Sequence, residues 1–303
     1  MSLKNLIPLL FVWLWSTGFV GAKYGLPYIE PFFILFVRFV CVIVLLFLII
    51  EIGRHPRTTW RQALGQMVVG VMLHGLYLGG VFYAIKQGVP AGISAVIVGL
   101  QPILLSVLER VFFYQPVRQS QYKSQYFGLV AGFIGITLVI ASNKSFDIGI
   151  TDQDGMSTAG LIANVIALFG IAIGTIIQKR IGGSVPLLSG SLYQYMGAML
   201  MMLILTFSLE TQAVTPTVEL ALALLWLVFG LSILAVVLLM YMIREGEVVK
   251  VTSYFYLVPP VTLVQTWLLF DETLNAVAML GCALTVYAVY KVVRGPSASI
   301  RPN

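Results

Sequence analysis

Two ionisable side chains sit where an apolar chain can least easily keep them. His74, in Leu73-His74-Gly75-Leu76-Tyr77, and Arg38, between Val37 and Phe39, each lie inside a run of apolar residues. An imidazole ordinarily titrates near neutrality, so His74 can couple a proton to the movement of another molecule. Equally, it can rest as a neutral ring bonded to a neighbouring helix. A guanidinium stays charged and grips carboxylate or phosphate with paired N–H groups, which makes Arg38 a candidate anion receptor. Its alternatives are to snorkel toward water or to pair with Glu30, some two turns away. Glu109, beside Arg110, is a weaker candidate for carrying a proton, because its place near a segment end also suits an interfacial ion pair.

Other residue types can shape a binding cavity. Gln101 both donates and accepts, which suits a zwitterion or a sugar. Pro102 beside it, and Pro259-Pro260 later in the chain, each free a backbone carbonyl and allow a bend. These three are hinge candidates, or static kinks that improve packing. Trp15, Tyr77, Tyr193, Tyr195, Tyr254 and Tyr256 supply aromatic surface. Tyrosines of this kind often form interfacial belts, yet their number also suits a wall that stacks on flat or apolar ligands. The expected substrate-binding set is Trp15, Arg38, Tyr77, Gln101, Tyr195, Tyr254 and Tyr256. Basic residues inside the apolar runs are scarce, which favours amino acids, aromatic ones among them, over phosphorylated sugars.

The elements that must hold these residues follow from composition. The chain has 303 residues, 59% hydrophobic and 10% charged, with a mean hydropathy of +0.96. A water-facing domain usually carries about a quarter charged residues, so this chain cannot cover a soluble surface. Apolar runs of roughly 20 residues recur, each able to span the hydrocarbon of a bilayer. Helices are expected at 5–23, 31–51, 62–85, 90–112, 124–142, 157–179, 187–208, 218–242, 249–270 and 274–293. Met1–Lys23 imitates a signal peptide, but no small-residue cleavage site follows, so it reads as a retained first helix.

Charge placement gives an independent check. With a cytoplasmic N-terminus, thirteen Lys and Arg fall in inside segments: Lys4, Arg54, Arg57, Arg61, Arg118, Lys123, Lys179, Arg180, Arg244, Lys250, Lys291, Arg294 and Arg301. Three fall outside, Lys23, Lys86 and Lys144, with Arg38 and Arg110 within spans. That asymmetry is the positive-inside pattern, and adding or removing one helix destroys it. The net charge of +6 is therefore topological and does not point to nucleic acid.

A repeat divides the chain. Tyr83-Ala84-Ile85-Lys86-Gln87-Gly88 resembles Tyr241-Met242-Ile243-Arg244-Glu245-Gly246, and at the same offset of 158 residues Ser94 meets Thr252 and Pro102 meets Pro260. Five helices per copy is an odd number, so the second copy must be inverted, a common construction of secondary transporters with the site near the midplane. The expected fold is an all-α integral membrane protein of ten transmembrane helices, as two inverted five-helix repeats at 1–145 and 155–295, with a cytoplasmic tail at 296–303 and both termini cytoplasmic. Gly75/Gly79, Gly128/Gly132 and Gly170/Gly174 permit close helix approach. Gly128/Gly132 could also serve a homodimer contact.

Several chemistries find no support. The chain has no G-x-x-x-x-G-K-[ST] and no H-E-x-x-H, and its two histidines and two cysteines form no ligand cluster, so no cofactor and no metal are expected. The rival reading is a membrane enzyme acting on a lipid-linked substrate, which needs clustered acidic residues. Asp147, Asp152 and Asp154 form the one acidic group, in a loop and without a partner cluster. A passive facilitator or flippase-like carrier is the nearer alternative.

At three places the chain resembles the drug/metabolite transporter superfamily, in its EamA-type branch with two five-helix repeats. Trp15-Ser16-Thr17-Gly18-Phe19-Val20-Gly21-Ala22-Lys23 fits the family's first-helix pattern of Trp, small residues and a terminal Lys. Pro31 followed by Arg38-Phe39 resembles its second helix. Pro259 followed by Glu272 resembles its ninth-helix ending, whereas the matching position after Pro102 is Gln115 rather than an acid. The resemblance implies a multi-pass inner-membrane transporter of small metabolites, not an enzyme. Amino-acid export by alternating access, driven by protons or by exchange, is the expected activity, with the small molecule and the lipid bilayer as partners.

Overall fold

Lipid offers no water to backbone N–H and C=O groups, so a crossing segment must close its own hydrogen bonds, as a helix does. The computed structural model describes residues 3–113, 157–183, 185–238, 255–272 and 275–294, with 127, 130–132, 134, 135, 137, 138 and 242 between them. In chain order these form α1 (Leu3–Gly25), α2 (Pro31–Ile52), α3 (Trp60–Gly70), a π-helical turn (Val71–Leu76), α4 (Tyr77–Lys86), α5 (Ala91–Val98) and α6 (Gln101–Phe113). The second half follows with α7 (Thr158–Ile181), α8 (Leu187–Leu209), α9 (Val218–Leu225), a longer π-helical segment (Trp226–Ala235), a 3-10 turn (Phe255–Leu257), α10 (Val258–Phe270) and α11 (Ala276–Arg294). Among the described residues seven helical stretches are long and apolar enough to cross a membrane, and Val258–Phe270 and Met279–Ala288 are shorter apolar helices. The fifth expected span (124–142) lies largely outside the described residues, as do the acidic loop, Tyr254, the side chain of Tyr256 and the tail.

Local chemistry sets the boundaries. Pro31 opens α2 at a position where the missing N–H has no intrahelical partner anyway. Ser157 Oγ accepts the Gly160 N–H at 3.0 Å to open α7, and Thr217 Oγ1 accepts from Leu220 at 3.2 Å to open α9. The sharp turn between α4 and α5 uses Gly88 at φ 83°, a conformation a side chain would oppose. Asp271 ends α10 in the left-handed region, φ 52°, which Asp tolerates.

Three expected helices are interrupted. The fourth breaks at Gly99-Leu100, so Pro102 sits in the first turn of α6 rather than kinking a continuous helix. Pro259 and Pro260 likewise occupy the first turn of α10. The third and eighth contain the two π-helical segments. Hydrophobic periodicity could not reveal these, because a helix apolar on every side has no face to follow.

The two halves pack through each other. α2 and α3 lie along α8, α4 lies along α7, α5 contacts α10, and α1 contacts α9, the second π-helical segment and α10. Association in lipid depends on close contact between small residues rather than on water exclusion. Gly70 lies so near the Gln194 carbonyl, and Gly197 so near the Met67 carbonyl, that a Cβ on either would collide with backbone. Gly170 and Gly174 press against the first π-helical turn at Leu76 and Leu73, while Gly132 faces Leu100 and Ile103 of the same chain. Phe11, Ile34, Phe39, Phe82 and Met202 fill the interior, and Ile52, Phe207 and Leu268 point outward, where hydrocarbon would receive them.

Candidate functional site

α2 carries one cation on its buried face. Ile34, Leu35, Phe39 and Val42 are fully enclosed, and Arg38 among them is 4% exposed. Its Nε and Nη2 donate to Ser232 Oγ at 3.2 and 3.0 Å, while the Ser232 hydroxyl donates to the Leu227 carbonyl at 3.1 Å. The hydroxyl proton is thus turned away and its lone pairs face the guanidinium. Glu30 is not the partner: its carboxylate accepts from Thr211 N at 3.2 Å and Ala213 N at 3.1 Å. The ion pairs among the described residues are Lys23–Glu272, Arg57–Glu51 and Lys179–Glu109. Arg38 is therefore a buried cation to which these residues bring a hydroxyl and no carboxylate, and such a charge strongly favours an incoming anion. Tyr77 and Tyr195, both buried, lie within electrostatic reach of it.

His74 belongs to the same group. Its ring stacks on Tyr195 with centroids 4.4 Å apart and planes 7° from parallel, and Phe39 tilts against both rings at 6.3 and 5.6 Å. Gln194 lies within electrostatic reach of the imidazole. The Gln194 amide nitrogen in turn donates to Gln66 Oε1 at 2.6 Å and Gln178 Oε1 at 3.2 Å. Four expected site residues, Arg38, His74, Tyr77 and Tyr195, are thus brought together.

Ser232, Gln194, Gln66 and Gln178 were missed. Ser232 had a signal: it stands 158 residues after His74, the repeat offset itself. Both members of that pair lie in π-helical segments, which recur at functional sites because a widened turn re-aims its side chains.

The remaining expected residues lie elsewhere in the contact network. Gln101 Nε2 donates to Thr175 Oγ1 at 3.0 Å, tying α6 to α7. Trp15 packs edge-on against Phe255 and tilted against Phe11, with centroids 5.2 and 5.3 Å away. Glu109 accepts from Lys179 at 2.9 Å with both side chains partly in the open, the interfacial arrangement. Pro259 abuts Gly99, so the break between α5 and α6 touches the start of α10. Among the described residues, no group of three His, Cys, Asp or Glu side chains is placed to hold a metal.

A second polar region closes the end of the bundle that carries Lys23 and Lys86. Glu272 accepts from Lys23 Nζ at 2.5 Å and from the Ala91 and Gly92 amides at 3.2 and 3.4 Å, capping α5 across the two halves. Lys23 also lies 4.7 Å above the Phe270 ring. Glu210 accepts from the Phe32 and Phe33 amides at 2.7 and 2.8 Å, capping α2 in the same way. Burial pushes the Glu210 acid above the ordinary carboxylate range, opposed by those two amides, with Glu30 raising it and Lys86 lowering it. Thr215 N donates to Tyr28 O at 2.8 Å beside the Ile29–Val214 bridge.

Comparison with known proteins bears on the fold and the family. A crystal structure of another protein, 17% identical, shares the fold with a TM-score of 0.62 over 94% of each chain. The chain is 25% identical over 301 residues to the Uncharacterized inner membrane transporter YedA of Escherichia coli (strain K12), covering 97% of this chain and 94% of that one. It is 26% identical over 305 residues to the Probable amino-acid metabolite efflux pump of Salmonella typhimurium (97% and 96% covered). It is 24% identical to the Uncharacterized transporter YvbV of Bacillus subtilis (91% and 87%). The expected multi-pass, inner-membrane setting accords with these relatives and with the apolar helices. The EamA-like transporter family model matches twice, at residues 4–141 and 158–294. This chain is a membrane protein belonging to the EamA-like transporter family.

Proposed function

We propose that the chain is a secondary exporter of small carboxylate-bearing metabolites, amino acids foremost, working by alternating access in the inner membrane. Ten helices form two inverted five-helix repeats, 1–145 and 155–295, with both termini cytoplasmic, and the halves rock about a midplane cavity. The observation that carries the reading is Arg38: a guanidinium 4% exposed, bonded to the Ser232 hydroxyl and without a carboxylate partner among the described residues. A ligand carboxylate completes that site, Tyr77 and Tyr195 shape it, and His74 carries the coupling proton. The efflux-pump name of the Salmonella typhimurium relative supports amino-acid export.

Purified protein in liposomes, given labelled amino acids with and without an imposed pH gradient, tests this. Gradient-driven accumulation that is lost in Arg38→Ala and becomes indifferent to the gradient in His74→Ala is expected. Transport by the parent that ignores the gradient removes the proton coupling and leaves an exchanger or facilitator. Full transport by Arg38→Ala overturns the anion site.

A further inference from the structure

Away from the polar centre, a groove runs along the outside of the bundle between α3 and α8, where the two halves meet. It encloses about 530 Å³, and every side chain that lines it is apolar. Leu64, Val68 and Val71 form one wall, and Leu200, Ile204 and Leu205 the other. Gly197 forms its floor against the Met67 carbonyl, an approach that a Cβ would prevent. Ile204 is 65% exposed, so the groove opens toward hydrocarbon, and its size falls within the range of built ligand sites.

One end of this groove is charged. Trp60, Leu64 and Val68 follow at intervals of four, and Arg61 stands three residues before Leu64, so all four share one side of α3. Helical side chains lean toward the N-terminus of their helix. Arg61, exposed, therefore extends from the groove toward the membrane surface, where a guanidinium keeps its head in water. Trp60, 71% exposed, is the residue type that settles at headgroup depth. Ser189 Oγ donates to the Pro56 carbonyl at 2.6 Å, and Gly65 abuts Ile181, so the starts of α3 and α8 and the end of α7 meet at this mouth. The exposed bases there are Arg54, Arg57, Arg61, Lys179 and Arg180. Glu51 and Glu109 are taken by Arg57 and Lys179. Arg54 and Arg61 have no carboxylate partner among the described residues.

We propose that this groove is a selective site for an anionic phospholipid, with one acyl chain between α3 and α8 and the headgroup phosphate on Arg61. Arg54 adds positive charge to the same mouth. Basic residues beside a crevice between membrane helices are a general arrangement for such headgroups. A second copy of the chain fits the charge less well. A two-fold contact within a bilayer sets one patch against itself, and so sets Arg61 against Arg61.

Native mass spectrometry of the full chain tests this, from micelles holding equal amounts of dioleoyl phosphatidylglycerol and dioleoyl phosphatidylcholine. The tails are identical, so the ratio retained reads the headgroup. The parent should keep the anionic lipid over the other by at least about fivefold, the contribution of one basic residue beside such a headgroup. Arg61→Gln should lower that ratio by about fivefold on the same reasoning. Ile204→Trp, which fills the groove from an outward-facing position, should abolish the preference; if it fails to fold, Val68→Trp on the opposite wall replaces it. Equal retention of both lipids by the parent, or a ratio unchanged in Arg61→Gln, overturns the proposal. A preference that survives filling of the groove also overturns it, in favour of diffuse surface charge. A dimer of the parent that Ile204→Trp dissociates overturns it by giving the groove to a second copy.

Discussion

Polar groups occur in two regions of this molecule, and they are satisfied in opposite ways. At the end carrying Lys23, carboxylates do the holding. Glu272 and Glu210 each cap a helix of the other half, accepting two backbone amides apiece, and Glu272 adds Lys23. Glu272, Glu210 and Glu30 each have an opposite charge or backbone N–H groups, and Lys86 donates to the Leu26 carbonyl at 2.9 Å, so the region resembles a finished joint. In the middle, Arg38 has a hydroxyl and two nearby tyrosines, and His74 has a ring face. Those partners orient a charge without neutralising it. One region is electrostatically complete as it stands; the other, on the proposed reading, is completed by a ligand carboxylate.

This contrast can be broken experimentally. The largest effect is expected at Arg38. Arg38→Ala should reduce uptake by about 100-fold or more, as losing one member of a buried charge pair does, without lowering the melting temperature. A large drop in stability would place Arg38 with the structural charges instead. Glu272→Ala should do the reverse, destabilising the fold by about 1–3 kcal/mol through a lost cap and a freed Lys23, read from thermal melts. Uptake per folded molecule that falls as far as in Arg38→Ala would erase the distinction. Ser232→Ala should weaken half-saturation about tenfold, roughly the contribution of one hydrogen bond to a charged group, and leave the maximal rate within about twofold on the same reasoning. An unchanged half-saturation would remove Ser232 from the site.

The smallest effect concerns Glu210. Its acid is held above the ordinary value of 4.5, so the folded chain binds this proton more tightly than the unfolded chain does. The stability this provides is present below that value and lost as pH rises through the raised one. Glu210→Gln cannot ionise and should flatten the slope in that window, by well under about 1 kcal/mol once its solvent access is allowed for. Identical slopes in parent and variant would show that the cap is indifferent to the proton.

Much of this was legible in the sequence, for reasons that differ by residue. The apolar runs announced the helices because a bilayer imposes length and composition directly. Arg38 and His74 stood out because lipid makes a polar side chain conspicuous. Tyr77 and Tyr195 belong to a large aromatic set in the sequence, and their place beside Arg38 and His74 depends on tertiary packing. Gln194 and Gln66 were invisible: a neutral amide in an apolar run carries no charge signal, and its partners are on other helices. Glu30 pointed to Arg38 by proximity along the chain, but the loop before α9 offered it backbone amides at closer range. Gln101 and Pro102 looked central on a continuous fourth helix, and the break at Gly99-Leu100 moved them to the start of α6, facing α7.

The π-helical turn at Val71–Leu76 has a consequence for gearing. Such a turn contains one residue more than the α-helix around it requires, and one residue amounts to roughly 100° of rotation. α3 can therefore direct Gln66 toward α8 while α4, continuing the same span, directs Tyr77 toward the guanidinium on α2. Removing one residue from 71–76 would preserve the span's apolar character and counter-rotate everything after it. The span would remain an acceptable membrane segment, with its two polar contacts indexed to the wrong neighbours. The π-helical segment around Ser232 extends this to the other half: the alignment of the polar centre is a matter of angular phase, set by a widened stretch of helix in each half.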